Sequence, residues 1–142
     1  MENQLKDKWA ILADKQSWLR KSAEEYLSKL NETLPKKEAE GRIEYILKTW
    51  EHSDNDYAPS LKRKITVDLQ NGQIQIWLSK QDYDGKWEHI DKNINDLEIA
   101  TIRLMASKMA EILTFFENKI EERNGKLDEA IAIFKSYKVK LI

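Results

Sequence analysis

The sequence has no cysteine and few of the other residues that common catalytic sites require. The absence of cysteine excludes disulfides, thiolate nucleophiles, iron–sulfur clusters and cysteine-based zinc sites. Its four glycines and two histidines form neither a glycine-rich phosphate loop nor a Gly-x-Ser-x-Gly or His-Glu-x-x-His motif. We therefore expect no catalytic residue, no metal site and no cofactor, in a protein that is not an enzyme.

The chain also lacks an excess of either charge and any long apolar run. Lysine and arginine total 24 against 25 aspartates and glutamates, for a net charge of −1, which excludes a polybasic tail and a strongly acidic chain. The N-terminus is acidic and polar and no apolar segment follows it, so neither a secretion signal nor a membrane span is predicted. We expect a soluble, cytoplasmic protein without membrane partners.

The residues that are present favour a folded domain. A hydrophobic share of 41% provides enough apolar side chains for a core, even beside 35% charged residues. A length of 142 residues fits one domain, or one domain with an appendage. Wholesale disorder is therefore not expected.

The first 34 residues follow a heptad pattern that predicts one long helix. Mostly apolar residues recur at alternating steps of four and three, with Gln16 as the polar exception, and Pro35 follows the helix. Two interpretations stay open: the helix packs on its own domain, or it dimerises or binds a partner, with Gln16 setting the register. The positions of this seam are Leu5, Trp9, Leu12, Gln16, Leu19, Ala23, Tyr26 and Leu30.

After Gly41 the pattern changes from helical to alternating. Residues 42–50 predict a strand, and a helix that begins at Lys36 is the alternative. Residues 82–85 form an acidic, glycine-containing turn, and residues 86–90 continue as another strand. These patterns predict an antiparallel meander of three or four strands.

The clearest predicted element is a hairpin that turns at Asn71-Gly72. Residues 64–69 and 73–78 alternate on either side of it, and both turn positions need the positive φ that Asn and Gly tolerate. A two-residue turn fixes the pairing, which gathers the aliphatic side chains on one face and leaves Trp77 on the polar face. A three-residue loop after this hairpin brings two further side chains to the polar face, those of Trp87 and His89.

The last third of the chain predicts a long helix and a short C-terminal element. An apolar stripe begins at Ile99, with Asn95 or Asp96 as the N-cap. Asn124-Gly125 predicts the end of this helix. Residues 126–142 start as a second helix, and their alternating tail fits a strand.

The predicted fold class is therefore α+β. Its order is a long N-terminal helix, an antiparallel meander of three or four strands, a long helix and a short C-terminal element. We divide the chain into the heptad-patterned helix, residues 1–34, and an α+β domain, residues 35–142, which packs with it in one structural domain.

The polar face of the sheet is the first candidate binding site. Exposed aromatic side chains among lysines stack on unpaired bases and meet the phosphate backbone. In the alternative interpretation a helix or a second subunit covers this face, and its tryptophans belong to a core. The charge of the region is nearly balanced, which is weaker than strong nucleic-acid binding requires. The candidate residues are Trp77, Trp87, Tyr83, Lys62, Arg63, Lys64, Lys80 and Lys86.

The order of elements from Lys62 to about Phe116 follows a known pattern. A strand, a short turn, a second strand, an acidic turn with glycine, a third strand and a helix succeed one another, and Lys92-Asn93-Ile94 precedes the helix. This order resembles the single-stranded-DNA-binding domains of the positive-cofactor-four, Whirly and PUR type. The resemblance implies a dimer whose curved sheets hold single-stranded DNA or RNA through basic and aromatic side chains.

Two other functions stay open. The heptad helix also suits a protein-interaction module, such as a phage or plasmid inhibitor, an immunity protein or a secretion chaperone, that acts through its helical surface. A metal-dependent nuclease is the second alternative, because Asp68 stands where enzymes of the restriction-endonuclease type place a metal-binding acid. The next strand has glutamines where such enzymes need a carboxylate and a lysine. Single-stranded nucleic-acid binding by a homodimer is the function that the sequence favours.

Overall fold

The computed structural model describes residues 1–52 and 61–137. Four antiparallel strands form one sheet in chain order, and two long helices lie on one of its faces. This is the α+β fold that the sequence predicts. The elements are α1 (Glu2–Thr33), β1 (Ile43–His52), β2 (Leu61–Gln70), β3 (Gln73–Gln81), β4 (Trp87–Lys92) and α2 (Ile99–Ser136).

The hairpin between β2 and β3 has the predicted turn and register. Asn71 and Gly72 both have positive φ, 51° and 71°, as a two-residue turn of this kind requires. Leu69 pairs with Ile74, which confirms the predicted division into an apolar and a polar face and leaves Trp77 on the polar one.

The last strand also pairs as predicted. Ile90 of β4 faces Leu78 of β3 on the apolar side. Because side chains alternate along a strand, Trp87 and His89 lie on the other face, together with Trp77.

Of the two alternatives for residues 36–50, the structure has the strand. β1 begins at Ile43 and pairs with β2 along its length. Its register shifts between Ile46 and Lys48, which leaves Leu47 as an extra residue in a β-bulge. Leu47 is buried, so the bulge adds one apolar side chain to the core.

The core lies between the apolar face of the sheet and the two helices. Val67 on β2 and Ile102 and Ile112 on α2 have no solvent exposure. α1 contributes one buried side chain, Leu27. α2 and the sheet therefore form most of the core, and α1 covers it with part of its length.

Two polar side chains fix the C-terminal half of α1. The guanidinium of Arg20 donates hydrogen bonds to the backbone oxygens of Ile94 and Leu97, at 3.1 and 2.6 Å. The Asn31 amide donates to the backbone oxygen of Ile74 at 3.1 Å and accepts from its N–H at 2.7 Å. Arg20 thus holds α1 against the segment before α2, and Asn31 holds it against β3.

The helices run in the same direction and overlap over part of their lengths. Residues 19–26 of α1 lie beside residues 102–109 of α2. Leu34, just after α1, lies beside residues 120–127 of α2. Each helix therefore extends beyond the other, at opposite ends of the domain.

We call residues 2–18 the α1 overhang and residues 127–136 the α2 overhang. At 1.5 Å per residue the first is about 25 Å long and the second about 15 Å. Apart from the half-buried Gln16, every residue of the two overhangs is exposed. Neither segment shares in the core described above.

The predicted helix end at Asn124-Gly125 is wrong, because α2 continues to Ser136. A glycine inside a helix costs about 1 kcal/mol relative to alanine, and the surrounding residues outweigh this cost. Glu122 lies 3.6 Å from both Lys119 and Lys126, so one ion pair precedes the glycine and a second spans it. The predicted short C-terminal element is therefore part of α2 as far as Ser136, and the alternating tail lies outside the described residues after Tyr137.

The predicted N-cap of this helix is also wrong. Ile94–Asp96 form a short 3-10 helix, and α2 begins at Ile99 with Glu98 as its N-cap. Ile94 and Leu97 are buried, so burial of these two side chains sets the backbone of the segment before the helix.

Candidate functional site

The polar face of the sheet is a continuous layer of side chains from all four strands. No helix or strand of the described residues packs on this face. Thr66, Asp68 and Ser79 are nevertheless only 1%, 1% and 2% exposed, because the longer side chains around them cover them. The layer consists of Glu44, Ile46, Thr49, Glu51, Lys62, Lys64, Thr66, Asp68, Gln70, Gln73, Gln75, Trp77, Ser79, Gln81, Trp87, His89 and Asp91.

An ion-pair network crosses this face between β1 and β2. Glu44 accepts hydrogen bonds from Arg42 Nη2 and Lys64 Nζ, both at 2.8 Å. Burial alone would raise the pKa of Glu44, but the hydrogen bond and charge of Lys64, with the charge of Arg42, bring that pKa below its usual value. Glu44 is therefore held as a carboxylate.

Asp68 belongs to the same network, but its ion-pair distance is longer and its carboxylate is poorly hydrogen-bonded. Arg42 Nε is 3.4 Å from Asp68 Oδ2, and neither carboxylate oxygen accepts a hydrogen bond of good geometry. Burial raises the pKa of Asp68 above its usual value. The neighbouring Thr66 hydroxyl and the charge of Arg42 act in the opposite direction, but their effect is smaller. Trp77 Nε1 is a second buried polar group of this face without a hydrogen-bond partner.

The arrangement around Asp68 is unlike a metal centre. Among residues 1–52 and 61–137, no three His, Asp or Glu side chains lie close enough together to hold a metal ion. The cations Arg42 and Lys64 already occupy the space beside Asp68 and Glu44. A divalent metal at this point would meet positive charge, so the geometry gives no support to the nuclease alternative.

Ser79 and His89 form a pair at the centre of the face. Ser79 Oγ and His89 Nδ1 are 2.7 Å apart across β3 and β4. A serine beside a histidine is the core of many nucleophilic sites, but the serine is buried and a substrate has no access to its oxygen. We assign this pair to cross-strand stabilisation.

Part of the predicted nucleic-acid set meets at the end of the sheet. Lys62, Arg63, Lys64 and Trp87 line a cavity of about 310 Å³. Trp50 of β1 completes it, and the sequence analysis did not single this residue out. It pairs with Arg63 on the side of the helices and packs against the core.

Cations lie against both tryptophans of this cavity. Lys64 Nζ is 5.2 Å from the ring centre of Trp87, and Lys48 Nζ is 5.2 Å from that of Trp50. Trp87 is 39% exposed. The Trp87 indole and the Lys62 side chain are thus open to a ligand at this end of the sheet, with the acidic Glu51 beside them.

The other predicted members of the set lie elsewhere. Lys80 pairs with Arg63 on the opposite parity of the sheet, which is the side of the helices. Tyr83 and Lys86 belong to the turn between β3 and β4, and Trp77 is half-buried in the polar layer. The eight residues therefore do not form one surface.

The predicted seam of α1 divides into two halves. Leu19, Ala23 and Leu30 pack against the core. Leu5 and Trp9 are 71% and 69% exposed, and Leu12 and Tyr26 are exposed as well. The first interpretation, packing on the chain's own domain, therefore holds for the second half of the seam, and partner binding by the first half stays a prediction.

The charges of the α1 overhang are arranged around its apolar stripe. At 100° per residue, Lys6, Lys8 and Lys15 lie beside the stripe. Asp7 and Asp14 lie on the opposite side of the helix. A helix that packs on this stripe therefore meets lysines at its margins.

The α2 overhang carries a second exposed stripe, in the segment that the sequence predicts to be a separate helix. Leu127, Ile131 and Phe134 recur at helical spacing, and Phe134 is 80% exposed. The spacing was a usable signal, but the predicted helix end at Gly125 separated these residues from the preceding stripe.

Comparisons with protein-family models, with curated proteins and with solved structures give no match for this chain. The resemblance to the positive-cofactor-four, Whirly and PUR domains stays a prediction. Neither described helix has a stretch that is long and apolar enough to cross a membrane.

Proposed function

We propose that the protein is a non-enzymatic assembly module that binds protein partners, including further copies of itself, through its projecting helices. The observation that carries this proposal is the exposure of Leu5 and Trp9, which continue a stripe whose other half is packed in the core. Exposed apolar side chains that lie together on one chain mark interaction surfaces.

The free energy that burial of the exposed stripe would contribute favours binding of a partner. An aromatic side chain removes roughly 150–250 Å² from water when it is buried, and each Å² of apolar area contributes about 25 cal/mol. Because Trp9 is 69% exposed, it alone would contribute about 3–4 kcal/mol before the entropy of association is subtracted. A helical segment of this length is also marginally stable in water by itself, so a partner would stabilise the overhang.

Self-association of the full chain tests the proposal. In sedimentation velocity over a concentration series, the native chain should shift from monomer toward larger species. Leu12→Asp puts a charge into the stripe and should weaken association about 30-fold or more. Ile11→Asp is the matched control, because Ile11 is exposed on the same turn but outside the stripe.

Two results would count against the proposal. A native chain that stays monomeric at every concentration would exclude self-assembly, and equal effects of Leu12→Asp and Ile11→Asp would remove the stripe from the interface. Far-UV circular dichroism of both variants checks that they remain folded.

A second candidate function is binding of single-stranded nucleic acid at the end of the sheet. The cavity in which Lys62 and Lys64 accompany Trp87 favours it, because an indole ring stacks on an unpaired base while cations meet the phosphates. Trp77 is half-buried with its indole nitrogen in the interior. The stacking role in this candidate therefore falls to Trp87, because Trp50 lies on the side of the helices and packs against the core.

Fluorescence anisotropy of a labelled single-stranded oligonucleotide tests the second candidate. Stacking contributes about 1–3 kcal/mol per base, so Trp87→Ala should weaken binding about 5- to 150-fold, and added salt should weaken it further. Trp18→Ala is the control, because Trp18 is exposed on α1 and does not line the cavity. No binding by the native chain at low salt would exclude this candidate.

A further inference from the structure

On the basis of the proposed function, we infer that copies of this chain assemble head to tail, with the α1 overhang of one copy packed along the α2 overhang of the next. The partner of each overhang is thus the other overhang of a second copy. Within one chain the two cannot meet, because they extend from opposite ends of the domain. The contact is heterologous, so it joins two different surfaces of identical molecules.

The two stripes have matching spacing. Steps of four and then three residues separate the apolar side chains of each overhang. They are Leu5, Trp9 and Leu12 in the α1 overhang, and Leu127, Ile131 and Phe134 in the α2 overhang. In two parallel helices these steps bring the side chains together in three layers, first with first, second with second and third with third.

Within each copy, the continuations of these two stripes already pack together in the parallel orientation. Leu19 and Ala23 continue the α1 stripe, and they lie beside Ile102 and Met105 of the parallel helix α2. An α2 overhang from a second copy, placed in line with α2 before Ile99, would have the same position relative to the α1 overhang. Its length of about 15 Å fits within the 25 Å or so of the α1 overhang.

Charge disfavours the alternative in which two α1 overhangs pair with each other. Lys6, Lys8 and Lys15 border the α1 stripe and Glu2 is the one acid near it, so such a pair would bring mostly lysines together. The α2 stripe is bordered by Asp128 and Lys135, one charge of each sign. Only one lysine borders the α2 stripe, so pairing α1 with α2 brings fewer like charges together.

The area of the contact predicts its strength. Two aromatic side chains at roughly 150–250 Å² each and four aliphatic ones at roughly 60–120 Å² each give on the order of 500–1,000 Å², which is below the 1,200 Å² or so that stable interfaces reach. Each contact is therefore weak, and assembly should depend steeply on concentration. Because the contact leaves one free overhang at each end, it can repeat and produce chains of increasing length.

Complementation between two variants of the full chain tests this inference. Leu12→Asp disables the α1 overhang and Phe134→Asp disables the α2 overhang, so each variant alone should be monomeric at concentrations where the native chain assembles. An equal mixture should form a one-to-one dimer and nothing larger, because one intact surface of each kind remains. Ile11→Asp and Ile133→Asp, exposed residues outside the stripes, should assemble like the native chain.

The outcomes separate this inference from the proposed function. If the native chain assembles and Leu12→Asp is monomeric, but Phe134→Asp assembles normally or the mixture stays monomeric, the α1 stripe binds something other than the α2 overhang and the inference is overturned. A native chain that never assembles overturns both. A mixture that gives the dimer, measured by sedimentation velocity, supports the inference.

Discussion

Asp68 and Glu44 make opposite contributions to stability as the pH changes. Folding raises the pKa of Asp68, so the penalty for its charge is absent below its ordinary pKa of 3.8 and grows as the pH rises through the raised value. Folding lowers the pKa of Glu44, so its stabilising contribution is present above its ordinary pKa of 4.5 and is lost as the pH falls through the lowered value.

This sign difference can be measured with two isosteric substitutions. Asp68→Asn removes a buried charge that lacks good hydrogen bonds, and we expect it to raise the free energy of unfolding by about 1–3 kcal/mol at pH 7. The gain should shrink as the pH falls toward the ordinary pKa of Asp68. Urea unfolding of both proteins at several pH values gives the difference directly.

Glu44→Gln is the matched comparison for Asp68→Asn. It removes a carboxylate that Arg42 and Lys64 both bind, so it should lower stability at pH 7, by an amount that shrinks in acid. An Asp68→Asn variant that is less stable than the native chain at pH 7 would mean that the ion pair with Arg42 outweighs the cost of burial.

At the scale of elements, the best predicted feature is the hairpin and the least well predicted are the helix ends. The turn at Asn71-Gly72 needs no information from distant residues, because backbone preference and two-residue alternation decide it locally. The start of α2 depends on burial of Ile94 and Leu97, which only the folded chain reveals. Its end depends on whether helix formers and ion pairs around Gly125 outweigh one unfavourable residue.

Gly125 offers a direct test of this balance. No atom lies within 4 Å of the position that a Cβ would take there, so Gly125→Ala should add helix propensity without a clash. Helix stability around this position should rise by about 0.8–1 kcal/mol, which slows amide hydrogen exchange roughly fourfold in the flanking turns.

A control for the glycine substitution lies in the hairpin turn. Gly72 has a φ of 71°, and a Cβ there would overlap the carbonyl oxygen of Pro35. Gly72→Ala should therefore destabilise the whole domain, whereas Gly125→Ala should leave the domain's unfolding midpoint nearly unchanged. Faster exchange around position 125 in Gly125→Ala would show that the glycine has a role that helix propensity does not describe.

The candidate site was predictable only in part, and the reason is geometric. Alternation placed Trp77 and Trp87 on the correct face, because the register follows from two turns. It did not indicate that Trp77 is half-buried or that Trp50 joins Lys62 and Arg63 at the end of the sheet. Those facts depend on the packing of long side chains from three strands, which a one-dimensional pattern does not contain.

At the scale of the whole molecule, the division of α1 into an exposed and a packed half also depends on tertiary packing that the sequence pattern does not contain. The heptad spacing is uniform from Leu5 to Leu30, but the part that is buried depends on where α2 begins. Arg20, bonded to the segment before α2, marks this boundary. A pattern typical of helix packing therefore describes two different environments along one helix.

Hydrogen exchange along α1 should reveal this boundary in solution. At low protein concentration, amides of residues 2–18 should exchange much faster than those of residues 20–31, because the overhang has no core contacts and isolated helices of its length are marginal. At concentrations that favour assembly, protection should rise in residues 2–18 and stay constant in residues 20–31.

Leu12→Asp provides the control for the exchange experiment. Its overhang should stay unprotected at every concentration, because the substitution prevents assembly while it leaves the anchored half of the helix unchanged. Uniform protection of the native α1 at low concentration would contradict the division and mean that the overhang is stable without a partner.

The two hydrogen bonds of Asn31 have a consequence beyond holding α1. β4 pairs with β3 only as far as Ile76, so the backbone of Ile74 lies at an open edge, where the Asn31 amide takes the place of a neighbouring strand. An open edge is a template on which a strand of another molecule can add, and repeated addition leads to amyloid fibrils. The same side chain that secures a helix therefore also protects this stretch of β3 against fibril growth.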